Sequence, residues 1–165
     1  MASNKDETAA LVTCSHAPMS EGHDLARFLR AQAEPAGKVT VYESALAELR
    51  SGAKQTHWMW FVLPQLRGLG ESPMSQKYGL ASLDEAAAYL AHPVLGPRLR
   101  TCVAVLTAVE GRTAFEIFGR PDDRKFRSCL TLFAHATDDN TDFMAALVKY
   151  FPGGFDKRTL RKLGL

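Results

Sequence analysis

With 165 residues, 46% apolar and 23% charged, the chain has the size and make-up of one globular domain able to bury roughly two-thirds of its unfolded surface. A net charge of +2 with histidines neutral is too mild to argue for nucleic acid, and no run approaches the roughly 20 apolar residues of a membrane span. Cys14, Cys102 and Cys129 are odd in number and widely spaced, which offers neither a disulfide framework nor a CxxC metal site and reads as reduced thiols in a soluble, cytoplasmic protein.

Residues 1–23 mix charged residues with Ser, Thr, Pro and Gly, have no apolar run long enough for a signal peptide, and read as a flexible tail. Residues 24–165 read as a single helical domain. Asp24 is placed to cap a helix with Leu25, Phe28 and Leu29 inward and Arg27 and Arg30 outside. Glu34-Pro-Ala-Gly37 ends it. A second helix is expected from about Val39, with Arg50 and Gly52 as its C-terminal signal. In the central stretch, Lys54 to Gly70, apolar residues fill every position from Trp58 to Leu63, so periodicity cannot type it, and Pro64 stops it.

Beyond it, Met74 to Ala81 predicts a short helix bearing Tyr78, and Ser82-Leu-Asp-Glu85 matches a capping box that opens a helix to Ala91. After the break at His92-Pro93, helices are expected over about Leu95 to Val109, Ala114 to Phe118 with Thr113 as cap, from Pro121 onward, and over about Asp142 to Tyr150. Residues 157–165 offer one more turn at best. No alternating strand pattern of useful length is present. The expected fold is all-α or mainly α, one compact domain of about six to eight short helices.

Two constellations suggest chemistry. In the first, Trp58 and Trp60 can stack a planar ligand, Arg67 and Lys54 can hold its anionic group, and Gly68 and Gly70 can present backbone N–H groups, with Gln65 a polar residue the fold does not need. His57, at the boundary of polar and apolar residues, is a candidate proton carrier. In the second, Lys125 and Ser128 stand at i, i+3 on one helix face, where they can act as base and nucleophile or as anion ligands. Each has a plain structural reading beside it: core aromatics, a histidine bonded to backbone, a tight glycine turn and a solvated first helical turn. No His, Cys or carboxylate set has metal-ligand spacing, so no metal and no cofactor is expected. The leading expectation is a site for a small anionic, nucleotide-like molecule, which it binds or hydrolyses. The competing one is a protein-interaction module using Trp58, Trp60 and Tyr78 as an exposed aromatic patch.

The motifs RFLRAQ at 27–32, YESALAELRSGAKQTHWMWFVLPQLRGLG at 42–70, SPMSQKYGLAS at 72–82, YLAHPVLGPRLR at 89–100, IFGRPDDRKFRSCLTLF at 117–133 and FDKRTL at 155–160 belong together. With the signature HWMWF-x-x-PQ-x-x-GLG at their centre, they resemble a bacterial and fungal family of unknown function often labelled "calpastatin". The resemblance implies a compact, helix-rich cytosolic domain. It implies no activity and no catalytic residues.

Overall fold

A computed structural model describes residues 22–165, so the tail expected over residues 1–23, Cys14 included, lies almost wholly outside the described residues. Helix α1 spans Ala26–Ala33. A two-residue hairpin follows, β1 (Pro35–Ala36) against β2 (Val39–Thr40), antiparallel, with Pro35 opposite Thr40. That pairing moves the start of α2 (Val41–Ser51) two residues past the expected Val39. Thr40 caps it in a reciprocal box with Glu43, and Gly52 ends it at φ 68°, a left-handed conformation that costs glycine no side-chain clash.

The central stretch contributes a single turn, α3 (Met59–Val62). Then come α4 (Pro73–Tyr78), α5 (Leu83–Ala91), α6 (Leu95–Ala108), α7 (Ala114–Phe118), α8 (Asp122–Ala136), α9 (Thr141–Tyr150) and α10 (Lys157–Leu163). The molecule is mainly helical, as expected, with ten helices among the described residues. The two beyond the expected set are α3, whose all-apolar sequence hid its type, and α10, which is longer than one turn. The Asp156 carboxylate caps α10 by accepting from the backbone N–H of Thr159 at 2.9 Å.

Helix α8 is the centre of the core. It packs against α5, α7, α9 and α10, while α6 closes the layer against α2, α5 and α9. Phe126, Cys129, Leu130 and Phe133 face inward, as their spacing predicts. Phe133 stacks on Phe143 at 5.8 Å and meets Tyr89 at 5.5 Å. Cys102 and Cys129 are both fully buried; burial pushes the Cys102 thiol up to about 12 and that of Cys129 well above its ordinary value. Both are therefore inert core thiols.

One expectation for α1 is corrected. Arg27, placed outside by helical spacing, is buried, and Asp24 makes no side-chain cap; its backbone carbonyl instead accepts from Arg27. The reason is a partner far along the chain. The Arg27 guanidinium lies 2.9 Å from the Glu85 carboxylate, with side-chain exposures of 8% and 4%. It also donates to the carbonyls of Lys77 at 2.9 Å and Gly79 at 3.2 Å. A guanidinium with this many acceptors can leave water; an unpaired one cannot. Glu85→Ala strips the charge partner and leaves a buried cation, so it is expected to cost about 3 kcal/mol or more in urea unfolding. A loss below about 1 kcal/mol would contradict the buried pair.

Candidate functional site

The Arg27–Glu85 pair shapes the segment that follows α4. Arg27 holds the carbonyls of Lys77 and Gly79 from one side, and Glu85 Oε2 accepts from the Ala81 N–H at 2.6 Å from the other. Leu80, fixed between them, forms a parallel bridge with Leu66. Its N–H donates to Gln65 O at 3.0 Å, and its carbonyl accepts from the Arg67 N–H at 2.7 Å. The approach is close enough that a Cβ on Gly79 would fall 2.6 Å from Arg67 Cα. The backbone of Arg67 is thus pinned, and its side chain is exposed.

Helix α10 closes the other side. Asp156, at its start, is held by α8: Thr131 Oγ1 accepts from its N–H at 2.9 Å and Ser128 Oγ donates to its carboxylate at 3.2 Å. From there Arg158 reaches the carbonyl of Leu69 at 2.9 Å. Lys162 lies across Gly68, its Nζ 2.8 Å from where a Cβ would stand, and the φ of 87° at Gly68 is a left-handed conformation that favours glycine.

Between these walls lies a cleft of about 670 Å³, lined by Leu66, Arg67, Gly68, Ala81, Asp84 and Lys162 among others. Its volume is that of a typical small-molecule site. Neither Arg67 nor Lys162 has an ion-pair partner among the described residues. Ser82, also in the lining, uses its hydroxyl to cap α5, accepting from the Glu85 N–H at 3.2 Å.

The other sequence-predicted residues gather elsewhere. Trp58 is fully buried and donates its indole N–H to Glu48 at 2.8 Å. Glu48 also accepts from the N–H groups of Gln55 at 2.7 Å and Thr56 at 3.1 Å, so a single carboxylate clamps the entry to the central stretch. Burial pushes the Glu48 carboxyl up, but the hydrogen bonds from Thr56, Gln55 and Trp58 more than reverse this and hold it below the usual carboxylate range. Lys54 and Lys125 share Asp122, at 2.9 and 3.0 Å, and lie beside the rings of Trp58 and Trp60 at 5.3 and 5.1 Å. Burial raises the Asp122 carboxyl and the two ammonium groups bring it below its ordinary value.

Trp60 is partly exposed, and its buried indole N–H has no acceptor among the described residues. Beside it is a narrow cavity of about 10 Å³, lined by Trp60, Gln65, Ser75, Tyr78 and Lys125, with room for roughly one water molecule. Gly70 backs onto it; a Cβ there would stand 2.5 Å from Ser75 Oγ. This cavity shares no lining residue with the 670 Å³ cleft. Lys125 and Ser128 turn to different partners, Asp122 and Asp156. His57 is exposed and lines neither space. Of the predicted site residues, then, Arg67 and Gly68 meet at the cleft. The residue missed by sequence reasoning is Lys162, in an end expected to offer one more turn at best. Its signal was Asp156-Lys-Arg-Thr159, a capping pattern ahead of Leu160 and Leu163. Among the described residues no three His, Cys, Asp or Glu side chains stand close enough to hold a metal ion.

The chain belongs to the family described as "Protein of unknown function (DUF1810)", whose model matches residues 22–163. All the motifs of the suggested family lie in that span; neither this match nor the structural one carries the label "calpastatin". Among solved structures it is similar to the conserved hypothetical protein Rv1873 from Mycobacterium tuberculosis, with 55% identity over 86% of this chain and 97% of that one, and a TM-score of 0.81. No curated protein matches.

The Glu48 clamp has a pH signature. A carboxyl held low in the fold contributes stability that is present above its unfolded pKa, about 4.3, and lost as pH falls through the folded value. Glu48→Gln is expected to cost about 1–2 kcal/mol in urea unfolding at pH 7, and the gap to wild type should narrow well below pH 4. A gap that stays constant down to pH 3 would contradict the clamp.

Proposed function

We propose that this member of the DUF1810 family binds a small phosphorylated compound in the cleft between the 66–70 loop, the start of α5 and helix α10. Arg67 and Lys162 would hold the phosphoryl group. The observation that carries the reading is the pair itself: two cations face one cleft of about 670 Å³ with no carboxylate bound to either among the described residues. Like charges set side by side repel, and an arriving dianion removes that cost while gaining two charge-assisted contacts. The pinned backbone of Arg67 lowers the ordering cost of binding.

The proposal is one of binding. Lys125, Ser128 and His57, the residues with acid, base or nucleophile chemistry, do not line this cleft. The tryptophans do not line it either, so the charge half of the sequence expectation is carried forward and the stacking half is not. The protein-docking alternative needs Trp58, Trp60 and Tyr78 on an open face. Trp58 is fully buried and Tyr78 is 7% exposed, which favours the anion reading.

A thermal-shift and calorimetric series with inorganic phosphate, nucleotides and phosphorylated sugars tests it. Arg67→Ala is expected to leave stability within roughly 0.5 kcal/mol and to weaken binding by roughly 1.5–3 kcal/mol, the value of a charge-assisted hydrogen bond. Unchanged affinity would place the anion elsewhere. Unfolding would make Arg67 a structural residue.

A further inference from the structure

The space around Arg67 does not end at the cleft. On the other flank Arg67 and Ala81 also line a second hollow of about 490 Å³, walled by His23 and Asp24 ahead of α1, by Arg30 of α1 and by Gln76 and Lys77 of α4. Because Arg67 and Ala81 line both, the two hollows adjoin there, and together they are called the trough. Arg30 stands 3.9 Å from Asp24, both side chains about two-thirds exposed, a pairing too loose and too wet to satisfy it. Lys77 has no carboxylate partner among the described residues and lies 5.1 Å from the Tyr78 ring. Cations therefore line both hollows, Arg30 and Lys77 one, Lys162 the other, and Arg67 both. Three carboxylates line the trough, Asp24, Asp84 and Glu85, and the last is already bound to Arg27 at 2.9 Å.

The chemistry of the middle narrows the ligand further. Apart from the imidazole of His23, no ring lines either hollow, and charged and polar side chains predominate. Asp84 and Gln76 offer groups that bond hydroxyls. We infer that the trough takes a sugar bisphosphate or a similar polyol carrying a phosphoryl group at each end, one held by Arg67 and Lys162, the other by Arg30 and Lys77. The inference rests on the reading of the Arg67–Lys162 cleft and adds the second end and the class of ligand. Two phosphoryl groups on one short chain bind as a linked pair, so the second raises affinity without a second association cost.

Calorimetric titration of the full-length chain with inorganic phosphate, fructose 6-phosphate and fructose 1,6-bisphosphate tests it. The bisphosphate is expected to bind at least tenfold more tightly than the monophosphate. Arg30→Ala combined with Lys77→Ala should bring the bisphosphate down to the monophosphate level, and so should Lys162→Ala. Lys38→Ala, an exposed cation outside the trough, should leave the ratio unchanged. If the monophosphate binds and the bisphosphate binds no more tightly, or if the Arg30/Lys77 variant keeps the full ratio, the two-ended trough is wrong while the cleft stands. If neither sugar phosphate nor phosphate itself binds, the cleft reading fails and takes this one with it. Thermal melts of each variant verify that the fold is kept.

Discussion

The buried Arg27–Glu85 pair is the constraint on which the rest of the structure depends. A buried ion pair is weak evidence for stability on its own, because desolvation consumes most of the Coulomb gain. Its effect here is geometric. The guanidinium and carboxylate together take up the carbonyls of Lys77 and Gly79 and the N–H of Ala81. That leaves Leu80 with its N–H and C=O directed at residues 65 and 67, and the parallel bridge follows. Arg67 is therefore positioned by two helices that are distant from it in sequence. Removing either partner would loosen the cleft wall as well as the core.

The opposite wall is set by hydroxyls. Ser128 and Thr131 on α8 hold Asp156, and the Asp156 carboxylate in turn caps α10 through Thr159. The chain reverses ahead of it at Pro152-Gly-Gly154, and the cap decides where α10 begins. Once it begins there, Arg158 and Lys162 fall over the 66–70 loop. Ser128, which its spacing to Lys125 suggests as a nucleophile, thus has a partner that explains its burial without chemistry.

How much of this was legible in the chain depends on where each residue finds its partner. Where the partner is local the reading succeeds: Thr113 caps α7 and Gly52 ends α2 as their spacing predicts, while at Ser82 only half of the expected capping box forms, because the Glu85 side chain turns to Ala81 and Arg27. Arg27 fails because helical periodicity assigns a face but cannot supply a carboxylate from α5. The central stretch stays untyped for a similar reason. Its order comes from Glu48 on one side and from Gln32, which donates to the Phe61 carbonyl at 2.8 Å, on the other. Trp58 and Trp60 look alike in sequence, yet one is sealed by Glu48 and the other keeps a partly exposed ring. Only the fold separates them.

The central claim is that anions enter between Arg67 and Lys162. The most direct measurement is an amide ¹H–¹⁵N spectrum of the full chain titrated with phosphate at constant ionic strength. Saturable shifts should concentrate on Arg67, Gly68, Ala81 to Asp84 and Lys162. Shifts centred on Trp60 and Lys125, or uniform small shifts without saturation, would contradict it.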